Sequence, residues 1–163
     1  MKKKILITGS SGFLGNLAKE FFIKNYDLVL VDVSSSNDSN FYKADIGNFL
    51  EIDNIISREK PHIILHFASE IFDTYDKKKV YKTNVNGSEN IKKSAIKNNI
   101  ENLIFTSTFS LFEKNYDYLI SEEEPISCKN YYGITKFEVE NILLNSDSNL
   151  NISIFRCPII VDK

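Results

Sequence analysis

Ile5-Leu6-Ile7-Thr8-Gly9-Ser10-Ser11-Gly12-Phe13-Leu14-Gly15 reads as a strand, a turn and a helix start in one short stretch. The apolar run Ile5 to Ile7 predicts a buried strand. Glycines at 9, 12 and 15 mark a small-residue turn after it. Leu14, Leu17, Ala18, Phe21 and Phe22 then follow the i, i+3, i+4, i+7, i+8 spacing of one helical face, which predicts an amphipathic helix. Glycine lets a backbone turn tightly and come close to a phosphate. A helix start adds unpaired N–H groups and the positive end of its dipole. Together these features predict a cradle for the pyrophosphate of a dinucleotide.

Working outward, Asp27 to Val33 predicts a second buried strand, short and β-branched. Asp32 falls at its end, about twenty residues past the glycine turn, where a dinucleotide fingerprint places an acid on the adenine ribose. Its carboxylate would accept hydrogen bonds from the ribose hydroxyls and repel a 2′-phosphate. The two arginines, Arg58 and Arg156, lie far along the chain from this position. The expected cofactor is therefore NAD rather than NADP. Ser34 to Asn40 reads as a loop, and Phe41 to Ala44 as a short third strand leading to Asp45-Ile46. Phe49, Ile52, Ile55 and Ile56 mark a helix that stops before Pro61. His62 to Ser69 predicts the next buried strand.

Residues 76 to 98 predict one long helix, with Val80, Asn84, Ser88, Ile91 and Ala95 on a shared face. Asn84 is the unusual polar member, expected to satisfy buried backbone groups. Asn102 to Thr106 predicts a further strand, ending in Thr106-Ser107-Thr108. The last helix starts near Asn130 and carries Tyr132, Lys136, Val139 and Leu143; Ile152 to Phe155 is the final strand. Strands alternating with helices predict parallel βαβ units with right-handed crossovers. The expected fold is thus α/β, a doubly wound parallel sheet of Rossmann type, as one domain over residues 1–163. Gly9 to Gly15, Asp32, Asp45, Ser69 and Thr106 to Thr108 all follow predicted strands, which collects them on one sheet edge.

A hydrophobic content of 42% and a charged content of 26% fit a soluble globular protein, and a net charge of -2 argues against a nucleic-acid partner. Runs of apolar residues fall short of a membrane span, and Lys2-Lys3-Lys4 leads straight into a strand rather than a signal peptide. A cytoplasmic protein without a membrane partner is expected. Cys128 and Cys157 lack metal-type spacing and are expected to be reduced thiols. His62 and His66 have no partner ligands at useful spacing, so they are expected to be structural or surface imidazoles, with no metal site. Lys77 to Lys79 and Glu122 to Glu124 read as solvated charge.

Tyr132 and Lys136 stand one helical turn apart and share a face. A phenol keeps its proton at neutral pH, and a nearby ammonium lowers its pKa. Such a tyrosine can exchange a proton with an alcohol or carbonyl. Thr108, at a strand end, offers a hydroxyl to the same substrate oxygen, while a nicotinamide would carry the redox step.

With these residues in place, the chain resembles the extended short-chain dehydrogenase/reductases, the NAD-dependent epimerase/dehydratase group acting largely on nucleotide sugars. The likeness is carried by Thr8-Gly-Ser-Ser-Gly-Phe-Leu-Gly15, Asp32, Asp45-Ile46, His66-Phe-Ala-Ser69, Asn84-Val-Asn-Gly-Ser-Glu-Asn-Ile91, Phe105-Thr-Ser-Thr108, Tyr132-Gly-Ile-Thr-Lys136 and Phe155-Arg156. The resemblance implies that Gly9, Gly12 and Gly15, with the backbone of Phe13 and Leu14, lie against the pyrophosphate. It implies Asp32 on the adenosine ribose, Asp45 and Ile46 beside the adenine, and Phe67, Ala68 and Ser69 along the cofactor, with Asn84 bracing the loops. It further implies Tyr132 as proton acceptor, Lys136 on the nicotinamide ribose and tuning Tyr132, and Thr108 orienting a nucleotide-sugar or related small substrate. A homodimer through helices such as 76–98 and 130–145 is what the resemblance allows.

The chain departs from the family pattern in several places. A smaller C-terminal substrate domain, usual in the family, is expected to be largely missing. Thr108 replaces the commoner serine, Phe109 stands where small residues are usual, and Phe112-Glu113 stands where Tyr-Gly is frequent. The sequence therefore supports an NAD-dependent sugar-nucleotide epimerase, dehydratase or reductase. The alternative is a truncated NAD-binding module or subunit without turnover of its own. A flavin or mononucleotide fold is a third reading, against which Tyr132, Lys136 and Thr108 together argue.

Overall fold

Short apolar runs pair with one another because each has two faces to bury. In the computed structural model, which describes residues 2–71, 76–112, 117, 119–145 and 148–160, they form β1 (Lys4–Thr8), β2 (Asp27–Asp32), β3 (Phe41–Lys43), β4 (Ile63–His66), β5 (Asn102–Thr108) and β6 (Asn151–Cys157). The strands make one parallel sheet in the order β3-β2-β1-β4-β5-β6. Ile5 pairs with Leu28 on one side and Ile63 on the other, which sets the register of the centre. The order reverses between β1 and β4, so a crevice opens beyond their carboxyl ends. The doubly wound expectation holds.

Helices α2 (Phe49–Glu59), α4 (Gly87–Lys97) and α5 (Tyr131–Leu144) cover one face. Ile52, Ile56, Ile91, Ala95, Val139 and Leu143 pack there against Leu6, Val29, Val31, Ile64, Leu103 and Phe105. On the other face, Ala18 and Phe22 of α1 (Phe13–Phe22) pack toward Ile5, Ile7, Leu28, Leu30 and Leu65. The expected inner face of α1 is only partly correct. Leu17 is 45% and Phe21 75% exposed, because α1 lies over the β1 and β2 side and turns these two residues away from the sheet. Phe21 instead stacks edge-on against Phe22, with centroids 5.0 Å apart.

The long helix expected over 76–98 is three pieces. A short α3 (Lys77–Tyr81) runs into a π-helical segment, Lys82–Asn86, and then into α4. Ser88, in the first turn of α4, donates its hydroxyl back into the π segment, to the Asn84 carbonyl at 2.6 Å. A side chain inserted into the ladder in this way disturbs α-helical pairing. The shared face survives: Val80, Asn84, Ser88, Ile91 and Ala95 are all buried. Asp53 of α2 ties the layer together, accepting from Ser94 Oγ at 2.9 Å, Asn98 Nδ2 at 3.1 Å and the Lys97 ammonium. The final strand is longer than expected, running from Asn151 to Cys157. Among the described residues no helix is long and apolar enough to cross a membrane.

His66 is structural. It is 1% exposed, with Nε2 2.8 Å from Ser88 Oγ and Nδ1 2.7 Å from Thr8 Oγ1. Ser88 spends its proton on the Asn84 carbonyl, so Nε2 must be the donor to Ser88 and Nδ1 the acceptor from Thr8. Thr8 Oγ1 also accepts from the Ala68 N–H at 3.3 Å. One neutral imidazole on β4 thus joins β1 to α4. Burial, with the nearby Lys136 charge, pushes the His66 pKa down to about 3.

A folded-state pKa below the unfolded value means that the unfolded chain binds the extra proton first. Stability is then full above the ordinary histidine range, about pH 6.5, and falls as the pH drops toward 3. Urea unfolding measured between about pH 4 and 6 is expected to lose up to about 1.4 kcal/mol per pH unit from His66 alone. In His66→Gln that slope should shrink by one proton's worth; an unchanged slope would remove His66 as the acid-sensitive group.

Candidate functional site

The turn after β1 works because three glycines have no side chains. Gly9 takes φ +70°, and a Cβ there would lie 2.6 Å from the Ala68 nitrogen. A Cβ on Gly15 would lie 2.2 Å from the Gly9 carbonyl oxygen. Backbone therefore packs on backbone, and α1 starts hard against the turn. Gly12 is its N-cap, without a side-chain cap, and the first helical bond runs from the Asn16 N–H to the Gly12 carbonyl at 2.9 Å. The N–H groups of Phe13, Leu14 and Gly15 precede that bond and aim the positive helix end outward.

Asp32 closes the other side of the turn. Its carboxylate accepts from the Ser11 N–H at 3.0 Å and the Ser34 N–H at 2.9 Å. A carboxylate has about four lone-pair sites, so acceptor capacity remains. Both residues border a cleft of about 1610 Å³ over the carboxyl edge of the sheet. Gly9, Gly12, Phe13, Leu14, Gly15, Asp32, Asp45, Ile46, Phe67, Ala68, Ser69, Thr108, Tyr132 and Lys136 all line it. Asn84 is the one residue of the expected set that does not; it sits behind the wall. Its Oδ1 accepts from the Glu70 N–H at 2.8 Å, and its Nδ2 donates to the Glu70 carbonyl and to Thr135 Oγ1, each at 3.1 Å. The Ser69 hydroxyl also donates to Asn84 Oδ1 at 3.2 Å. Asn84 so fixes the 69–70 loop against α5.

Asp45 is engaged by partners within the protein. It accepts from the Gly47 N–H at 2.8 Å and pairs with Lys82 at 2.7 Å. These partners outweigh burial and hold its carboxyl below the usual carboxylate range. Ile46 is 3% exposed, and a Cβ on Gly87 would lie 2.6 Å from its Cδ1. The absence of a side chain at Gly87 is what lets α4 seat this wall.

At the far end, Tyr132 and Lys136 stand on the inner side of α5, whose N-cap Asn130 accepts from the Gly133 N–H. Lys136 is 3% exposed, and its Nζ lies 4.0 Å from the centroid of the Phe105 ring. Its distance to the Tyr132 centroid is 5.9 Å. The expected lowering of the phenol by this ammonium is not what the geometry gives. Burial raises the Tyr132 pKa, and the hydroxyl of Ser69 is what pulls it the other way. Burial also pulls Lys136 down to about 7. Both groups are thus nearer their neutral forms than the spacing alone suggests. Thr108 Oγ1 accepts from the Ser110 N–H at 3.1 Å and keeps its own proton to donate.

Several cleft residues were given no site role in the sequence. Ser107 is 4% exposed and its hydroxyl has no hydrogen-bond partner among the described residues. Strand alternation could have found it, two residues beyond the buried Phe105. Cys157 lines the cleft opposite, its thiol raised by burial. Lys79 and Lys82 also line it, paired with Glu70 and Asp45. Phe109 is 40% exposed and packs edge-on against the buried Phe112; Glu113 lies outside the described residues. Among the described residues no cluster of three His, Cys, Asp or Glu side chains could hold a metal.

Comparison with known proteins agrees with this geometry. The family model described as the NAD dependent epimerase/dehydratase family matches residues 5–161. A UDP-glucose 4-epimerase of Halalkalibacterium halodurans is 25% identical over 148 residues, covering 85% of this chain and 44% of that protein. The structure of the UDP-glucose 4-epimerase of Thermotoga maritima with UDP-glucose superposes with a TM-score of 0.85 at 26% identity, covering 94% of this chain and 54% of that one. The enzyme WbmG of Bordetella bronchiseptica, solved with NAD, shares the fold with a TM-score of 0.87 at 23% identity, over 96% of this chain and 53% of that one. The chain spans about half the length of these relatives. With the family model running from β1 to the end of β6, the protein belongs to the NAD-dependent epimerase/dehydratase family of extended short-chain dehydrogenase/reductases.

Proposed function

We propose that this chain binds NAD along the sheet edge and carries the proton-transfer site of a nucleotide-sugar epimerase, dehydratase or reductase. The observation that carries the reading is the cradle: a Cβ at Gly9, Gly12 or Gly15 would fill the space where backbone meets backbone. The open α1 start faces the same cleft as Asp32 and Lys136. These residues fit a dinucleotide. The N–H groups of Phe13 and Leu14 would hold its pyrophosphate. Asp32 would accept from the adenosine ribose, with Asp45 and Ile46 at the adenine and Phe67, Ala68 and Ser69 along its length. Lys136 would donate to the nicotinamide ribose. Bound NAD supplies the hydride acceptor and donor for the sugar carbon.

The chain's own residues would handle the proton. Tyr132, raised by burial, holds its proton at neutral pH until a substrate oxygen and a charged Lys136 favour exchange. Thr108 would donate to the same oxygen and fix it beside Tyr132. The reading as a complete enzyme sits beside a second one, an NAD-binding module without turnover of its own. What supports the second is burial, which raises the Tyr132 phenol and draws Lys136 toward its neutral form.

Calorimetric titration with NAD is expected to show binding, weakened about tenfold to a hundredfold in Asp32→Ala, the loss of hydrogen bonds to a charged group. No binding by the parent chain would overturn both readings. With a panel of nucleotide sugars that includes UDP-glucose, turnover is expected to fall at least about a hundredfold in Tyr132→Phe while NAD affinity is kept. Activity surviving that change removes Tyr132 as the proton acceptor, and NAD binding without turnover by the parent supports the module.

A further inference from the structure

Lys136 is buried, 3% exposed, with its Nζ 4.0 Å from the centroid of the Phe105 ring. Burying an ammonium favours its neutral form unless an opposite charge faces it. Among the described residues five groups lie about Lys136. Phe105 on β5 offers a ring, and Tyr132 on α5 a protonated phenol. His66 on β4 is neutral, and the Cys157 thiol on β6 is held protonated by burial. The fifth is Glu140, one helical turn beyond Lys136 on the same face of α5 and 1% exposed.

Glu140 is locked. Arg156 from β6 donates Nε to both carboxylate oxygens, at 3.1 and 3.3 Å, and Nη2 to Oε2 at 2.8 Å. The guanidinium also donates Nη1 to the Glu122 carbonyl at 3.0 Å and lies 5.5 Å from the Phe112 centroid. Such a pair is costly to bury and is weak evidence for stability alone. Its place one turn from the buried Lys136 ammonium gives it a second consequence.

We propose that Glu140, fixed by Arg156, is a positioning residue that keeps Lys136 in its ammonium form at the cofactor cleft. The inference rests on the reading of Lys136 as a site residue. Burial draws Lys136 down to about 7, and the Glu140 carboxylate opposes that fall. With a midpoint near 7 about half of Lys136 is ammonium at pH 7; without the carboxylate that fraction would fall to about a tenth of it or less, and with it the cation that donates to a ribose and assists deprotonation of Tyr132.

The test is the titration of Lys136 itself, followed by NMR of ε-carbon-labelled lysine in the 163-residue chain without added nucleotide. The parent midpoint is expected near 7. In Glu140→Gln it is expected about one pH unit or more lower, and in Glu140→Asp to return toward the parent. A merely structural role would lower thermal stability without moving the midpoint. A folded Glu140→Gln chain whose midpoint stays within about 0.3 of the parent overturns the proposal. Should Glu140→Gln fail to fold by circular dichroism, the paired Glu140→Gln/Arg156→Gln variant removes both buried charges and is judged by the same outcomes. NAD calorimetry on the same samples separates the two ideas. A lowered midpoint without NAD binding overturns the cofactor reading alone, and NAD binding with an unmoved midpoint overturns this one alone.

Discussion

The approach of the Gly9 backbone to Gly15 and Ala68 sets everything at the sheet edge. A side chain at Gly15 would meet the Gly9 carbonyl at 2.2 Å, and one at Gly9 would meet Ala68 at 2.6 Å. Neither neighbour is a flexible tip that could swing away. Three segments therefore converge within backbone contact: the end of β1, the start of α1 and the loop after β4. Asp32 then locks the fourth, reaching from β2 to the Ser11 N–H. The cleft is the space left above this junction, lined by the backbone of the turn and by polar side chains such as Asp32 and Lys136.

A second layer of polar contacts holds that junction in register. His66 hands a hydrogen bond to Ser88, Ser88 passes one to the Asn84 carbonyl, and the Asn84 amide clasps Glu70 and Thr135. The chain of contacts runs from β4 through the π segment to α5, so the glycine turn and the Tyr132 helix are joined by fully partnered buried groups. Satisfied buried networks of this kind rigidify, whereas unpaired buried groups are costly. Against that background the exceptions stand out. Ser10 Oγ and Ser107 Oγ are buried without hydrogen-bond partners among the described residues, and Ser107 lines the cleft.

Much of this was legible along the chain. Alternation of apolar runs with helical periodicity gave the strands and their parallel order, because each run is too short and too apolar to be anything but a buried strand between helices. Gly9, Asp32, Thr108 and Tyr132–Lys136 were marked by spacing and strand ends, and Asn84 by its helical face; folding brings all but Asn84 to one cleft. Other features had no local signature. The exposure of Leu17 and Phe21 depends on where α1 lies over the sheet, and helical spacing marks a face without saying how wide the partner is. The π segment at Lys82–Asn86 depends on contacts of Asn84 and Ser88 with distant residues. The Asp45–Lys82 pair joins residues on separate elements.

Residue types and their order were enough for the doubly wound sheet, for a glycine cradle and for the family, because those rest on local backbone rules and on the sequence of βαβ units. The electrostatic state of the site was a matter of assembly. Spacing placed Lys136 beside Tyr132 and suggested a lowered phenol. Folding laid the ammonium on Phe105, buried both groups and shifted each toward its neutral form. It also brought Arg156 from the last strand onto Glu140. Charge in a protein interior depends on solvent exclusion and on partners far apart in the chain, and neither exists until the layers close.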